Sequence, residues 1–566
     1  MKKNYILCVL AFLFCACSGP KTDSLITFKQ VDPLAKIFRE SNFLPEFNEP
    51  TEVAAGEHAT FQLAIRAALP LNDLCIKVSE FKNESGDTFN DATTGFVDYV
   101  RVGRQTPKRA KDALNSTSLY YPDPIIEKQH WDVERDVTQP IWVTVNIPSN
   151  VKAGNYCAKF TINGKLDNQN IELQKELKIK VYPIVLEKPD LWVTNWFSTN
   201  DKEMKILNGG TDVEKYSDRY WELTNKLAEK LSLCYSNVMI FNLFEHIEFK
   251  EENGKYTFDY THFDKLLTIF KNNGILKMIE GGHISHRIGK WGSQYATFVP
   301  KYVNGKKEIE KIPISEEKAQ NFYSQFIPAL YKHITTKFPD VQYAQHIGDE
   351  PVGSNIKTYV EIAKFVKKVC PEIKLIEACH THDLENVLDI WVPQLNFFQS
   401  GYNFYKERQA AGDQVWFYTC LGPQEEFANR FIEQPLIKTR LIHWLNFKYN
   451  SNGYLHWGFN KWNSKSDCKN PLGETTKINI EVGNVLPGGD AWIVYPKDGE
   501  LFGSIRLEAM RDGITDYTLL QMYAKKDPQA AKELCRQVVY GWDHYDTETY
   551  HFRQIRHQIL EGLSKN

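Results

Sequence analysis

Between residues 191 and 457 short apolar runs alternate with longer segments of helical periodicity, and no other feature of the chain constrains its fold so tightly. The runs fall at 191–196, 237–241, 276–279, 341–347, 374–378, 395–398, 415–418 and 453–457. Helical patterns intervene at 214–232, 319–338, 356–369 and 431–449. Each run is short and rich in β-branched or aromatic residues, as a buried parallel strand requires. Strands and helices alternating in this way over about 270 residues predict a (β/α)8 barrel of the TIM type.

In such a barrel the chemistry gathers at the carboxyl ends of the strands. Those ends supply Trp196, Asn242, Glu280 with His283, Asp349 with Glu350, Glu377 with His380, Gln399 with Tyr402, Tyr418, and Trp457 with Asn460 and Trp462. The set is carboxylate, amide and aromatic. It contains no glycine-rich phosphate loop and no serine elbow. His380, His382 and Asp383 have the types of a metal site, but strand-end histidines more commonly bind hydroxyls or cap helices, so neither metal nor cofactor is expected. Lys and Arg (68) nearly balance Asp and Glu (71), which argues against a nucleic-acid partner. Aromatic residues reach 13%, an excess that suits stacking on sugar rings.

The 566 residues exceed one ordinary core, and the chain reads as multi-domain. From 27 to 185 period-two runs broken by turns, with Asn163-Gly164 as a hairpin signal, predict an N-terminal β-sandwich. The barrel is assigned 186–485, with a long loop at 284–315 that carries Trp291, Tyr295 and Phe298. Residues 486–566 form a C-terminal strand and helical extension, in which Arg506, Glu508, Arg511, Asp512 and Asp516 have spacings that allow pairing along a helix. Residues 1–17, with Lys2, Lys3, an apolar run and Cys15-Ala16-Cys17, read as a lipoprotein signal peptide. Cys17 is then the lipidated residue and 18–26 a tether. The expected location is the outer membrane of a bacterium, on its periplasmic side or at the cell surface, with membrane contact through the lipid anchor alone. None of the remaining cysteines forms a C-x-x-C pair.

The stretch from Gln345 to Pro351 holds two adjacent carboxylates where a strand ends. Neighbouring strand residues face opposite ways, so Asp349 and Glu350 share a pocket only if both lie beyond the last paired residue. The plain alternative is a helix start, with Asp349 as N-cap and Glu350 in the first turn. Two carboxylates at an aromatic-rimmed barrel mouth are equipment for glycosidic cleavage, yet adjacent residues are poorly placed to flank the bond from opposite sides. They suit a substrate-assisted route, in which a 2-acetamido oxygen attacks the anomeric carbon. Asp349 orients the amide, and Glu350 is acid and then base. That division asks for a raised pKa on Glu350.

The pair, the run Gln139-Pro140-Ile141-Trp142-Val143, the run Ala153-Gly154-Asn155-Tyr156, and the late segment Ser504-Ile505-Arg506-Leu507-Glu508-Ala509-Met510-Arg511-Asp512-Gly513 with Asp516-Tyr517 together resemble glycoside hydrolase family 123. The resemblance implies an exo-acting, retaining β-N-acetylgalactosaminidase, acting on a glycan or glycoconjugate with terminal β-GalNAc through an Asp-Glu pair, here Asp349 and Glu350. Family 20 β-N-acetylglucosaminidases use a similar pair, but two glycines normally precede their Asp and only Gly348 does here. A non-catalytic glycan-binding lipoprotein, or a hydrolase using Glu280 or Glu377 as nucleophile, are the other readings. Strand position makes Trp457 a floor for the sugar. It makes Tyr402 or Tyr418 a donor to the acetamido oxygen, and Asn242 and His283 hydroxyl contacts.

Overall fold

The computed structural model describes residues 25–304, 306–462, 474–478 and 485–565. The expected signal peptide with Cys17, the expected tether up to residue 24, and Cys468 lie outside them. No helix among the described residues is long and apolar enough to cross a membrane.

The N-terminal region is strand-rich. Ile26–Val31, His58–Ala67, Thr138–Asn146, Ala92–Arg101 and Tyr120–Ile126 form one sheet, and Thr51–Ala55, Gln169–Val185, Gly154–Leu166, Leu71–Val78 and Trp131–Val133 the main path of a second. Phe61, Leu63, Ile65, Phe96 and Ile141 of the first share a core with Leu74, Tyr156, Phe160, Ile162 and Ile179 of the second. Alternation along each strand turns these residues to one face, which both sheets bury together. The hairpin turn is not at Asn163-Gly164. Strand Gly154–Leu166 runs through it, and the chain reverses at Asp167 and Asn168, whose φ of 46° and 66° suit a tight two-residue turn. Gly164 sits instead at a register shift opposite Leu71–Val78, where a Cβ would lie 2.6 Å from the Leu74 side chain.

The central region is a nearly closed parallel barrel of nine strand segments. Its ring runs Trp192–Asn195, Val238–Phe241, Met278–Gly281, Gln342–Gln345, Lys374–Cys379, Ile390–Pro393, Gln414–Val415, Phe417–Thr419 and Gly453–His456. Gln414–Val415 pairs with the strand before it and Phe417–Thr419 with the strand after, so the two are halves of one position interrupted at Trp416. Trp416 packs with Val238, Met278, Ala344, Ile376, Ile390 and Leu455 inside the ring, and Gly453 leaves it room, since a Cβ there would lie 2.2 Å from the indole. The run 395–398 is a helix, Leu395–Ser400, rather than a strand. Leu395 and Phe398 are its buried residues at i, i+3, and the strand precedes it at Ile390–Pro393.

The 284–315 segment is folded. Ser285–Arg287, Tyr295–Val303 and Lys306–Ile312 make a three-stranded antiparallel sheet. Beyond the barrel a short hairpin, Tyr495–Lys497 with Glu500–Phe502, leads to helices Ile505–Lys526, Pro528–Val538 and Thr549–Ser564. Pairing along the first of these covers only part of its charge, through Arg511 and Glu508 at 2.7 Å. Arg506 instead reaches Asp123 of the N-terminal sheets at 2.7 Å, and Asp516 binds Arg440 and Arg556 from two other helices. That helix ties the two regions together through buried, multiply bonded charges.

Candidate active site

At the carboxyl ends of the barrel strands lies a cavity of about 1050 Å³, lined in part by Trp196, Asn242, His283, Asp349, Glu350 and Tyr418. The carboxylate pair follows strand Gln342–Gln345, so both residues lie past its last paired position. The helix-start alternative does not hold. Glu350 has φ 45°, in the left-handed region, and the next helix begins at Ile356 after a short 3₁₀ turn, Gly353–Asn355. Such a φ costs a non-glycine residue about 1–2 kcal/mol. The surroundings fix it: Arg287 Nη2 donates to the backbone carbonyls of Asp349 (2.5 Å) and Glu350 (2.8 Å), and the Tyr295 hydroxyl donates to that of Asp349 (2.5 Å). Gly348 serves this approach rather than a bend, because a Cβ would fall 2.6 Å from the Tyr295 ring.

Beneath the pair is a second pair of carboxylates with a different fate. His346 is fully buried, its Nε2 2.7 Å from Glu280 and its Nδ1 2.8 Å from Glu377, both equally buried. Burial alone would lower the pKa of this imidazole, but the two carboxylates outweigh it and raise it to about 10. Both nitrogens therefore donate, and His346 is a fixed cation. Glu377 also accepts from the backbone N–H groups of Ile347 and Gly348 and from the Tyr359 hydroxyl; burial works against its charge, yet His346 and His283 bring it down to about 2. Glu280 accepts from the Thr194 hydroxyl and from Trp196 Nε1 at 3.1 Å. Every oxygen of these two groups is committed to holding the floor and the loop.

Asp349 and Glu350 are only half-buried. The Asp349 carboxylate lines the cavity and takes no hydrogen bond from a described residue. Burial first, and then the neighbouring Glu350 charge, raise its pKa to about 6 against the pull of His283 and Arg287. Glu350 goes the other way. Burial opposes its charge, but His380 Nε2 at 3.3 Å and a hydrogen bond from Tyr418 hold it below the usual range. The expectation of a raised pKa on Glu350 is thus reversed, because His380 and Tyr418 face the glutamate while no described residue donates to the aspartate.

Of the other sequence candidates, the cavity brings together Asn242, His283, Tyr418 and Trp457. Trp457 is half-buried and its Nε1 donates to Asp490 at 3.0 Å, which sets the indole plane. Asn242 opens a short helix and donates to Glu245 at 3.3 Å. His283 stands 3.3 Å from Glu377. Tyr402 is not in the site. Since the preceding segment is a helix, it begins a further helix, Tyr402–Ala410, and packs against Phe398, Tyr449 and Trp542. His380 and His382 diverge: the first reaches Tyr418 at 2.6 Å, the second stacks on Phe404. Among the described residues the group with metal-ligand spacing is His283, His346 and Glu377, but both His346 nitrogens are spent on carboxylates. Arg287 escaped the sequence reading. Its nearest signal was the aromatic pair Trp291 and Tyr295 flanking it in the same segment.

Two family models match the chain, the glycoside hydrolase 123 catalytic domain over residues 208–523 and the glycoside hydrolase 123 N-terminal domain over 48–164. Among solved structures, a family 123 glycoside hydrolase from Clostridium perfringens, whose structure was used to analyse glycolipid glycan hydrolysis, aligns with a TM-score of 0.72 at 16% identity, over 95% of this chain and 97% of that one. A GH20 exo β-N-acetylglucosaminidase from Vibrio harveyi aligns at a TM-score of 0.29 and 9% identity over 90% of this chain and 99% of that one. A β-glucuronidase 3 from Bacteroides uniformis gives 0.29 and 9% over 88% and 51%. Neither of the last two bears on the fold. No curated protein matches by sequence.

Proposed function

Because the chain belongs to glycoside hydrolase family 123, whose catalytic-domain model matches more than half of it, we propose that it is an exo-acting, retaining hydrolase releasing terminal β-linked N-acetylgalactosamine with the help of the substrate's own 2-acetamido group. The observation that carries this reading is the division among four carboxylates. Glu280 and Glu377 are bonded to His346 and its neighbours, and Glu245, which also lines the cavity, is held by Lys215 and Asn242, which favours the adjacent Asp349 and Glu350 as the acting pair and a nucleophile that comes from the substrate. The acetamido oxygen then takes that part.

The acetamido oxygen attacks the anomeric carbon as the bond to the leaving oxygen breaks. Glu350 gives that oxygen its proton, and Asp349 accepts the amide N–H and balances the positive oxazolinium ring. Water next attacks the same carbon, giving its proton to Glu350 as the ring opens, so two inversions leave the configuration retained. The pair titrates as one unit. The protein's own contacts place the proton of the pair on Asp349; an amide N–H donated to Asp349 favours the ionised aspartate and moves the proton to Glu350, where the leaving group needs it. Trp457, Asn242, His283 and Tyr418 are the proposed sugar contacts. Export and lipidation at Cys17 complete the proposal and put the enzyme where extracellular glycans are met.

Chromogenic β-GalNAc, β-GlcNAc, β-galactoside and β-glucoside substrates test it. The expected result is cleavage of the GalNAc substrate and inhibition by a thiazoline mimic of the intermediate. Cleavage confined to sugars without an acetamido group would overturn the proposal, and a preference for β-GlcNAc would overturn its sugar assignment.

A further inference from the structure

Trp291 is 44% exposed at the mouth of the cavity, which is unusual for an indole whose backbone is so firmly held. Asn355 Nδ2 donates to the Trp291 carbonyl at 3.1 Å, Ser354 Oγ to that of Gly292 at 2.7 Å, and Gln294 Nε2 to that of Ser354 at 2.8 Å. The tip of the inserted sheet is thereby fixed to the turn that follows the carboxylate pair. One face of the indole is covered by the Arg287 guanidinium, whose Cζ lies 3.9 Å from the ring centroid. Arg287 is itself 7% exposed, and its guanidinium holds the Asp349 and Glu350 carbonyls. A packing tryptophan would bury both faces. This one is preorganised with an apolar surface left open beside the two carboxylates.

We propose that Trp291 is the platform for the leaving-group side of the substrate, stacking the apolar face of the sugar to which the terminal residue is β-linked. The proposal rests on the glycosidase reading and adds to it the residue that receives the sugar beyond the cleaved bond. The guanidinium beneath the ring links occupancy of this subsite to the carbonyls of the pair, so the platform and the acid share one rigid support. Arg287, acting through the loop, is a positioning residue.

The test compares wild type, Trp291→Ala and Trp291→Phe on a disaccharide with terminal β-GalNAc, together with inhibition by the thiazoline mimic, which fills only the terminal-sugar site. Removing a stacked face should lower kcat/KM for the disaccharide by about tenfold or more in the alanine variant, with partial recovery in the phenylalanine variant. The thiazoline inhibition constant should stay within about twofold of wild type. Equal loss of disaccharide cleavage and thiazoline binding would overturn the platform in favour of a merely structural role, as would a disaccharide rate left unchanged. Failure of the thiazoline to inhibit wild type would count against the substrate-assisted reading and leave the platform to be judged on the disaccharide rates alone.

Discussion

The site holds two pairs of acidic groups, and the contrast between them explains its design. Glu280 and Glu377 are fully buried, separated by 97 positions in sequence, and each is bonded to the same imidazolium. Asp349 and Glu350 are adjacent in sequence, half-exposed and unequally supported. Each oxygen of the lower pair is bonded to a neighbouring group; the upper pair keeps an unpartnered carboxylate facing the cavity. A group saturated by donors and a buried cation is poorly suited to nucleophilic or basic work, because each donor must be given up before it acts. The proposed chemistry accordingly rests on the under-satisfied pair.

The largest effect should come from breaking the upper pair. Glu350→Gln should slow turnover of a substrate with a poor leaving group by roughly 10²–10⁴-fold, much less for an activated aryl substrate, with folding unchanged by circular dichroism. Next is the cation of the lower pair. His346→Gln leaves two buried carboxylates without it and should cost about 3–5 kcal/mol in urea unfolding at pH 7. The pH dependence has a definite sign. The folded-state pKa of His346, about 10, lies above its unfolded value, so its stabilisation is complete below about pH 6.5 and is lost as pH rises toward 10. Wild type and variant should converge over that range. Glu377, lowered to about 2, contributes stability above about pH 4.5 and loses it as pH falls through 2.

A smaller effect of opposite sign is expected at Asp349. Its pKa is raised to about 6, so its ionisation opposes folding increasingly as pH rises from about 4 through 6. Asp349→Asn should then be more stable than wild type at pH 7 by about 1–2 kcal/mol, discounted for its exposure, with the gain absent in melting curves at pH 4. Least affected should be Tyr402→Phe. Its ring packs outside the cavity, and both turnover and stability should stay within about 0.5 kcal/mol of wild type.

What could be read from the chain divides by the range of the interactions involved. Most barrel strands were legible because each is a local apolar run. The run at 395–398 misled because four apolar residues fit a buried strand and a helix turn alike, and Tyr402 went astray with it. Asp349 and Glu350 were legible as neighbours at a strand end. The partners that set their behaviour were not. His346 and Glu280 meet across 66 positions, Arg287 reaches Glu350 across 63, and Tyr418 reaches it across 68. For the same reason the pKa order within the pair came out reversed, since it depends on His380 and Tyr418 both facing one carboxylate.

The most direct test sets Glu350→Gln beside Glu377→Gln, measuring turnover of a β-GalNAc disaccharide and urea unfolding of the same preparations. The contrast predicts that Glu350→Gln stays folded and loses roughly 10²–10⁴-fold in turnover, whereas Glu377→Gln is the more destabilised of the two and keeps activity in proportion to its folded, correctly held fraction. A Glu377→Gln enzyme as stable as wild type but inactive, beside a Glu350→Gln enzyme that still turns over, would contradict it and move the chemistry to the lower pair.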